Sequence, residues 1–282
     1  MPAATSSLDI ANLALVELGL EPIVSPNTLA TTTLKEARHA NALYAMCRDE
    51  VLAAHPWNCA SKRAQLAITE KTITGATAAS PVVITSASHG FSNGDFVAID
   101  DIVGMTELNG GRYKVANQAT NTFELQTVAG VNVDGSAYTT YVSGGTATKA
   151  PAWGFGILYA LPTDFIRLAY PEQGTADYRI EGRTMITDET EFQIDYIFQQ
   201  TDVTVMTPGL VAAIAALLAA RLAKPLTGDS SLKTAMEQLY RDRLAEARFA
   251  DSREAPTEAL ENFTWVDGRL AETGYGSNTV SR

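Results

Sequence analysis

The sequence predicts an α+β multidomain protein: a mainly α helical-bundle core with a small β-hairpin region, interrupted by an inserted all-β barrel or sandwich domain. Three observations favour this fold class. A helix-forming segment stops at Arg63, the composition then changes to short alternating runs of Thr, Val, Gly, Ala and Asn, and helical periodicity returns later in the chain. We expect a discontinuous core over 1–71 and 150–250, an inserted β domain over 72–149 and an extended C-terminal arm over 251–282.

The first two helices have recognisable ends. The first is expected to begin at an N-cap of Ser6 or Ser7 and to stop at Gly19. The second is predicted over residues 32–54, where apolar residues recur at helical spacing. Pro56 ends it, because the residue before a proline is pushed away from helical geometry.

The inserted segment is predicted to form short strands separated by turns. Turn sequences of the Asn-Gly type occur at Asn93-Gly94 and Asn109-Gly110, flanked by β-branched and aromatic residues. Strands at this spacing are typical of a small antiparallel barrel or sandwich. We interpret its aromatic residues as core residues: Phe91, Phe96, Tyr113, Phe123, Tyr138 and Tyr141.

The stretch after the insert contains a hairpin and a strand. Residues 178–187 alternate in polarity and turn at Glu181-Gly182, which predicts a β-hairpin. A further short strand is predicted over 193–197.

Two helices follow this stretch. The third is expected to have Thr207 as its cap, Pro208 at its first position and its end at Lys224-Pro225. The fourth is predicted from Asp229 or Ser230 to about residue 250. Its apolar residues are expected to form a buried stripe: Leu232, Met236, Leu239, Tyr240 and Leu244.

The C-terminal arm carries large apolar residues that a purely solvating tail does not need. We therefore predict that it becomes ordered against a partner protein. The candidate interface residues are Leu260, Phe263, Trp265, Val266 and Tyr275.

Composition describes a soluble globular protein with an acidic balance. The chain has 282 residues, is 46% hydrophobic, and carries 32 acidic against 21 basic residues, a net charge of −11. This charge disfavours binding to nucleic acid through phosphate contacts. The N-terminus shows no secretion signal, and the most apolar segment, residues 210–220, is shorter than the ~20 residues of a membrane-spanning helix. We expect synthesis in the cytoplasm and no membrane partner.

The residue types that carry chemistry do not form a recognisable catalytic or metal-binding motif. His39, His55 and His89 do not form a metal-ligating pair, and two cysteines are too few for a disulfide scaffold. His55 and Cys59 are four residues apart, but Pro56 interrupts the helix that would align them as a nucleophile pair. We predict no catalytic, cofactor-binding or metal-binding residues, and no enzyme activity.

Blocks from the predicted core occur in a defined order and spacing: Ala11-Asn12, Leu18-Gly19-Leu20, Pro22-Ile23, Tyr44, Arg48, Glu50, Leu52, His55-Pro56-Trp57-Asn58-Cys59-Ala60, Arg63, Leu161-Pro162, Asp164, Tyr178, Ile180-Glu181-Gly182 and Leu222-Ala223-Lys224-Pro225-Leu226-Thr227. Together they resemble the tail tubular protein A family, the head-to-tail adaptors of short-tailed bacteriophages. The resemblance covers about 1–70 and 150–255. This chain departs from the family at Cys59, where an aromatic residue is frequent.

The insert resembles a different family. The segments that carry this resemblance are residues 88–95, 104–110 and 121–125. They are similar to the β-barrel domain named after ubiquitin-activating enzyme, which recurs in phage structural proteins. Here the resemblance implies a fold and not ubiquitin chemistry.

The adaptor resemblance implies a structural connector of a bacteriophage virion. Such a subunit forms a homo-oligomeric, dodecameric ring between the portal protein and the tail nozzle protein, around the DNA exit channel. It contacts passing DNA without sequence-specific binding and is located in the tail or neck of the virion. The acidic charge of this chain suits a channel that must not hold DNA.

Two alternatives remain open on the sequence. A tail-associated enzyme that degrades the cell wall would need two carboxylates across a cleft, and the sequence does not exclude such a pair. The inserted barrel could instead bind host glycan through its aromatic residues.

Overall fold

A computed structural model of the chain describes residues 4–23, 34–170 and 177–254. Within these residues there are thirteen β-strands in three sheets, four α-helices and three short 3₁₀ helices. The described residues fall into two compact units. The first holds those up to 51, 57–59 and from 202 onward, and the second holds 52–56 and 60–201.

The first unit is helical. Its helices are α1 (Ser7–Glu17), α2 (Lys35–Ala53), α3 (Pro208–Thr227) and α4 (Ser230–Ser252). The predicted caps are confirmed at three helix starts, because Ser6, Thr207 and Asp229 each accept backbone N–H groups of the first turn. The predicted end of α3 was too early: Pro225 lies inside its last turn, and Gly228 ends it in the left-handed conformation.

The central helix of the first unit is α3. It packs against α1 and α4, and twelve of its residues are buried. Gly209 permits a close approach, since a Cβ atom added there would lie 3.0 Å from the Cβ of Ala247 in α4. By length and composition alone α3 could cross a membrane, with a mean hydropathy of 1.7, but 67% of that window is buried within the fold. Such burial is typical of the core helix of a folded domain.

The second unit is built from strands. In chain order they are β1 (Ser61–Leu66), β2 (Glu70–Thr72), β3 (Gly75–Ala76), β4 (Val83–Thr85), β5 (Phe96–Val103), β6 (Gly111–Ala116), β7 (Thr122–Gln126), β8 (Ser143–Ala150), β9 (Ile157–Ala160), β10 (Phe165–Leu168), β11 (Tyr178–Glu181), β12 (Thr184–Thr187) and β13 (Phe192–Phe198).

Seven of these strands form an antiparallel sheet in the order β2-β8-β5-β6-β7-β4-β3. The sheet closes on itself because its two outer strands, β2 and β3, are halves of one continuous segment. Between them, the amide of Ile73 donates to the carbonyl of Gly145 in β8, and the amide of Thr74 donates to the carbonyl of Thr85 in β4. The result is a closed barrel, and closure satisfies the edge strands.

The barrel has its own apolar core. Its buried members include Ile73, Val82, Ile84, Phe91, Val97, Ile99, Ile102, Met105, Leu108, Val115, Phe123 and Leu125. Phe91 and Phe123 are therefore core residues, as predicted. Tyr113, Tyr138 and Tyr141 pack against this core and are only partly buried, and Phe96 is half-buried and not a member of this core.

Two three-stranded antiparallel sheets complete the second unit. One has the order β1-β13-β10 and the other the order β11-β12-β9. Their shared apolar cluster contains Leu66, Tyr159, Leu161, Leu168, Met185, Phe192, Ile194 and Tyr196. The hairpin predicted at Glu181-Gly182 is confirmed as β11 and β12.

The prediction of a mainly α helical-bundle core was wrong, because strands outnumber helices and fill the described chain from residue 60 to residue 201. The segment from 157 to 198 forms five strands instead of a small hairpin region on a helical core. One of them, β13, pairs with β1, which lies on the other side of the barrel in sequence. Periodicity within one segment cannot reveal such a pairing, since it depends on a distant partner.

Candidate functional site: interaction surfaces

The end of α4 is fixed by the first of four joints, each of which is a small group of hydrogen bonds that connects separate parts of the fold. Asp251 is only 3% exposed, and its two carboxylate oxygens each lie 3.3 Å from the backbone nitrogen of Asn58, which donates to them. The side-chain amide of Asn58 also donates, to the backbone carbonyl of Asp251 at 2.9 Å. Beside it, the indole N–H of Trp57 donates to the carbonyl of Val51 near the end of α2, at 2.9 Å. These bonds hold the last turn of α4, after which the predicted arm follows in sequence.

A second joint connects α2 to α3. Arg221 Nη2 lies 3.0 Å from one carboxylate oxygen of Glu50 and 3.2 Å from the other.

The two cysteines have raised pKa values. Burial raises the pKa of the Cys47 thiol to about 11, and this effect outweighs the opposing positive charge of Arg221. Burial also raises the pKa of Cys59, and a backbone hydrogen bond from Thr207 opposes it. Raised pKa values make both thiols poor nucleophiles, so neither favours nucleophilic chemistry.

A third joint closes the turn after α1. The side-chain oxygen of Asn12 accepts the backbone N–H of Ile23 at 2.7 Å, and its amide nitrogen donates to the Ile23 carbonyl at 3.0 Å. Gly19 adopts the left-handed conformation with φ of 71°, which lets the amide of Leu20 bond back to Leu15. The chain that leaves α1 is thereby attached to the side of that helix.

A fourth joint lies in the sheet β1-β13-β10. The Asp164 carboxylate accepts a hydrogen bond from Lys62 Nζ at 2.8 Å and from the Tyr196 hydroxyl at 3.0 Å. Burial, together with the Asp164 carboxylate, raises the pKa of Tyr196 to about 12. Partial burial acts to raise the pKa of Asp164, but its hydrogen bonds from Lys62 and Tyr196 prevail and lower it. The cluster ties β1 to β13 and to the turn before β10.

The surface of α4 is less covered than predicted. The expected buried stripe is only half-buried along its length: Leu232, Met236, Leu239, Tyr240 and Leu244. Phe249 lies outside this stripe and is 66% exposed, with the guanidinium of Arg253 5.7 Å from its ring centroid. The helix therefore presents apolar area that its own unit covers incompletely, which is a property of surfaces that bind other proteins.

A groove lies in the second unit beside the loop between β8 and β9. It has a volume of about 330 Å³ and is lined by Trp153, Phe155, Arg179, Glu181, Ile186 and Asp188. Trp153 is 76% exposed, the most exposed large apolar side chain among the described residues. Sequence reasoning missed this site. A tryptophan between proline and glycine residues after the last barrel strand is the signal that could have indicated it.

His89 has a structural position inside the barrel. Its Nδ1 accepts the backbone N–H of Phe91 at 3.0 Å, and its Nε2 lies 2.8 Å from the Ala119 carbonyl and 3.3 Å from the Thr122 carbonyl. This pattern assigns the proton to Nε2. Its ring packs edge-on against Phe123. In the described ranges, no group of three or more His, Cys, Asp or Glu side chains is arranged to hold a metal ion.

The predicted interface residues of the arm lie outside the described residues, so their role stays a prediction. They are Leu260, Phe263, Trp265, Val266 and Tyr275.

Comparison with known proteins identifies one part of the chain. Residues 81–150 match the family described as the ubiquitin-activating enzyme E1 FCCH domain. The match covers most of the barrel and supports the predicted resemblance of the insert, as a fold. No curated protein matches the chain.

Proposed function

We propose that the protein is a structural head-to-tail adaptor of a bacteriophage virion, without enzyme activity. It forms a ring, dodecameric in the family it resembles, between the portal protein and the tail nozzle protein. The ring surrounds the exit channel through which DNA passes without sequence-specific binding. The chain is made in the cytoplasm of the bacterial host and ends in the tail or neck of the virion.

The observation that carries the proposal is the position of the residues that resemble the adaptor family. Asn12 holds the turn after α1, Glu50 pairs with α3, Asn58 holds the end of α4 and Asp164 ties two strands of a small sheet. Each makes a specific hydrogen bond or ion pair that connects separate parts of the fold. A resemblance carried by such residues favours a shared arrangement of elements over a shared composition.

Two further properties are consistent with a ring subunit. The half-buried stripe and the exposed Phe249 give α4 apolar area for a neighbouring subunit. The net charge of −11 keeps DNA from adhering to a channel wall.

The test is binding to portal assemblies. Full-length protein is mixed with the purified portal of the same phage, and complexes are examined by negative-stain electron microscopy and native mass spectrometry. We expect a ring of adaptor subunits on one end of the portal. Absence of any portal complex at micromolar concentration contradicts the proposal.

The arm is tested in the same assay. Truncation should follow Glu254 and not Ala250, because Asp251 is buried and bonded to Asn58. The truncated protein, and the double variant Phe263→Ala, Trp265→Ala, should melt at the full-length temperature yet fail to bind portal. Val142→Ala, at an exposed barrel residue, is the matched control and should bind normally. Normal binding by the truncated protein would show that the arm is not the docking element.

A further inference from the structure

The groove beside Trp153 has the chemistry of a sugar-binding site. We propose that it binds a neutral chain of pyranose sugars, with one ring stacked on the Trp153 indole. The proposal uses residues of the second unit alone and does not depend on the adaptor function.

Two hydrogen bonds hold the loop that carries the exposed Trp153. On one side of the loop, Arg112 Nη2 donates to the carbonyl of Gly154 at 2.9 Å. On the other side, the backbone N–H of Gly156 donates to the Asp188 carboxylate at 2.6 Å. The loop is therefore attached to the barrel and to the turn after β12. Because these two bonds hold the backbone next to Trp153, ligand binding need not order the loop, which limits the loss of conformational entropy.

The groove is also lined by polar, accessible side chains. Arg179 and Glu181 are two residues apart on β11 and therefore lie on the same face of that strand, and their side chains are 63% and 56% exposed. Their charged atoms are 3.7 Å apart, a long and solvent-screened ion pair that leaves donors and acceptors available. One carboxylate oxygen of Asp188 holds the loop, and the other has no partner among the described residues.

This combination selects one class of ligand. The groove volume of about 330 Å³ lies at the lower end of small-molecule sites. A pyranose ring offers C–H groups on one face for the indole and hydroxyl groups at its rim, which accept from Arg179 and donate to Glu181 and Asp188. Two carboxylates against one guanidinium disfavour phosphates and other anions. The charged residues that line the groove also disfavour an apolar side chain of a partner protein as the ligand, because the cores of protein–protein interfaces contain few charged residues.

The experiment is calorimetric titration of the full-length protein with soluble tetrasaccharides. The neutral probes are tetra-N-acetylchitotetraose, which represents cell-wall glycan, and cellotetraose, maltotetraose and mannotetraose, which represent surface polysaccharides. Tetragalacturonic acid is the anionic probe. The variants are Trp153→Ala and Trp153→Phe, and the matched control is Phe249→Ala, another exposed aromatic residue.

We expect at least one neutral probe to bind and the anionic probe to bind at least about tenfold more weakly. Trp153→Ala should weaken binding about tenfold or more, Trp153→Phe should weaken it less, and Phe249→Ala should leave it unchanged. Melting temperatures should not change, since Trp153 is exposed. The proposal is overturned if no neutral probe binds, if the anionic probe binds best, or if Trp153→Ala binds as the unmodified protein does.

Discussion

The backbone N–H of Lys149 donates to the carbonyl oxygen of Thr69 at 2.9 Å. The chain therefore leaves the barrel beside the point where it entered. Strand β2, which begins at Glu70, pairs with β8 next to this bond. The two ends of the barrel segment can consequently be joined without moving the chain on either side.

Replacing residues 70–149 with a Gly-Ser-Gly link is expected to leave the remaining chain folded. The link closes a gap already bridged by one hydrogen bond, so the entropy cost of closure is small. Circular dichroism should retain the helical signal and a cooperative thermal transition. As a control, a deletion of equal length over 60–139 removes β1 and should unfold the small sheets. Loss of the cooperative transition in the first variant would contradict the prediction.

Asp251→Ala is expected to lower the free energy of unfolding by about 1–3 kcal/mol, because it leaves the backbone N–H of Asn58 without its acceptor. Urea denaturation followed by the helical circular dichroism signal measures the change. Asp242→Ala is the control: that exposed carboxylate accepts a hydrogen bond from Gln238 in the same helix, and its loss should cost less than about 0.5 kcal/mol. Equal effects of the two substitutions would mean that the joint does not stabilise the unit.

His89→Ala is expected to destabilise the barrel by roughly 2–4 kcal/mol, through lost hydrogen bonds and the cavity left beside Phe91 and Phe123. Hydrogen exchange read by mass spectrometry locates the effect, and amides of the barrel should exchange faster while those of α3 stay protected. His39→Ala, at a half-buried position on α2, serves for comparison. Unchanged protection of the barrel amides would refute a structural role for His89.

Gly209→Leu is expected to cost about 1–3 kcal/mol, since even a Cβ atom added at this position would lie 3.0 Å from the Cβ of Ala247. The larger side chain must push α3 away from α4. Ala245→Leu adds comparable volume on the exposed face of α4 and should be tolerated. Thermal unfolding of both variants provides the measurement, and a normal melting temperature for Gly209→Leu would argue against close packing of these helices.

Cys47 is expected to resist alkylation in the folded protein. A thiol with a pKa of about 11 is on the order of one part in a thousand thiolate at pH 8. Iodoacetamide should therefore label it only after unfolding, which peptide mass spectrometry detects. Because the folded pKa is raised above the unfolded value, this thiol's contribution to stability is present below pH 9 and declines as the pH rises toward 11. Rapid labelling of the native protein at pH 8 would show that Cys47 is accessible.

The parts of the fold that follow from local chemistry were predictable. Ser6, Thr207 and Asp229 cap helices because short polar side chains accept the free N–H groups of a first turn. The hairpin at Glu181-Gly182 was also predictable, because a turn likewise depends on residues that are adjacent in sequence. The pairing of β1 with β13 was not predictable, because the first three residues of β1 are exposed and polar and show no apolar alternation.

The candidate surfaces were predictable only in part. The apolar residues of α4 were identified by their spacing, but spacing does not state how completely a neighbour covers them. Trp153 lies in a loop without periodicity, so its exposure depends on bonds made by Arg112 and Asp188, which are distant in sequence. Exposure of this kind arises from tertiary structure alone.

The closure of the barrel by residues 70–76 has a consequence for how the protein changes over evolution. An open sheet edge can recruit any extended backbone, and proteins crowded side by side then aggregate through it. Within the described barrel both outer strands are paired, so recognition on its wall must rely on side chains. Substitutions on the outer face can therefore change what the barrel binds without leaving an unpaired strand edge. The surface residues of the barrel can vary in sequence while its fold stays the same.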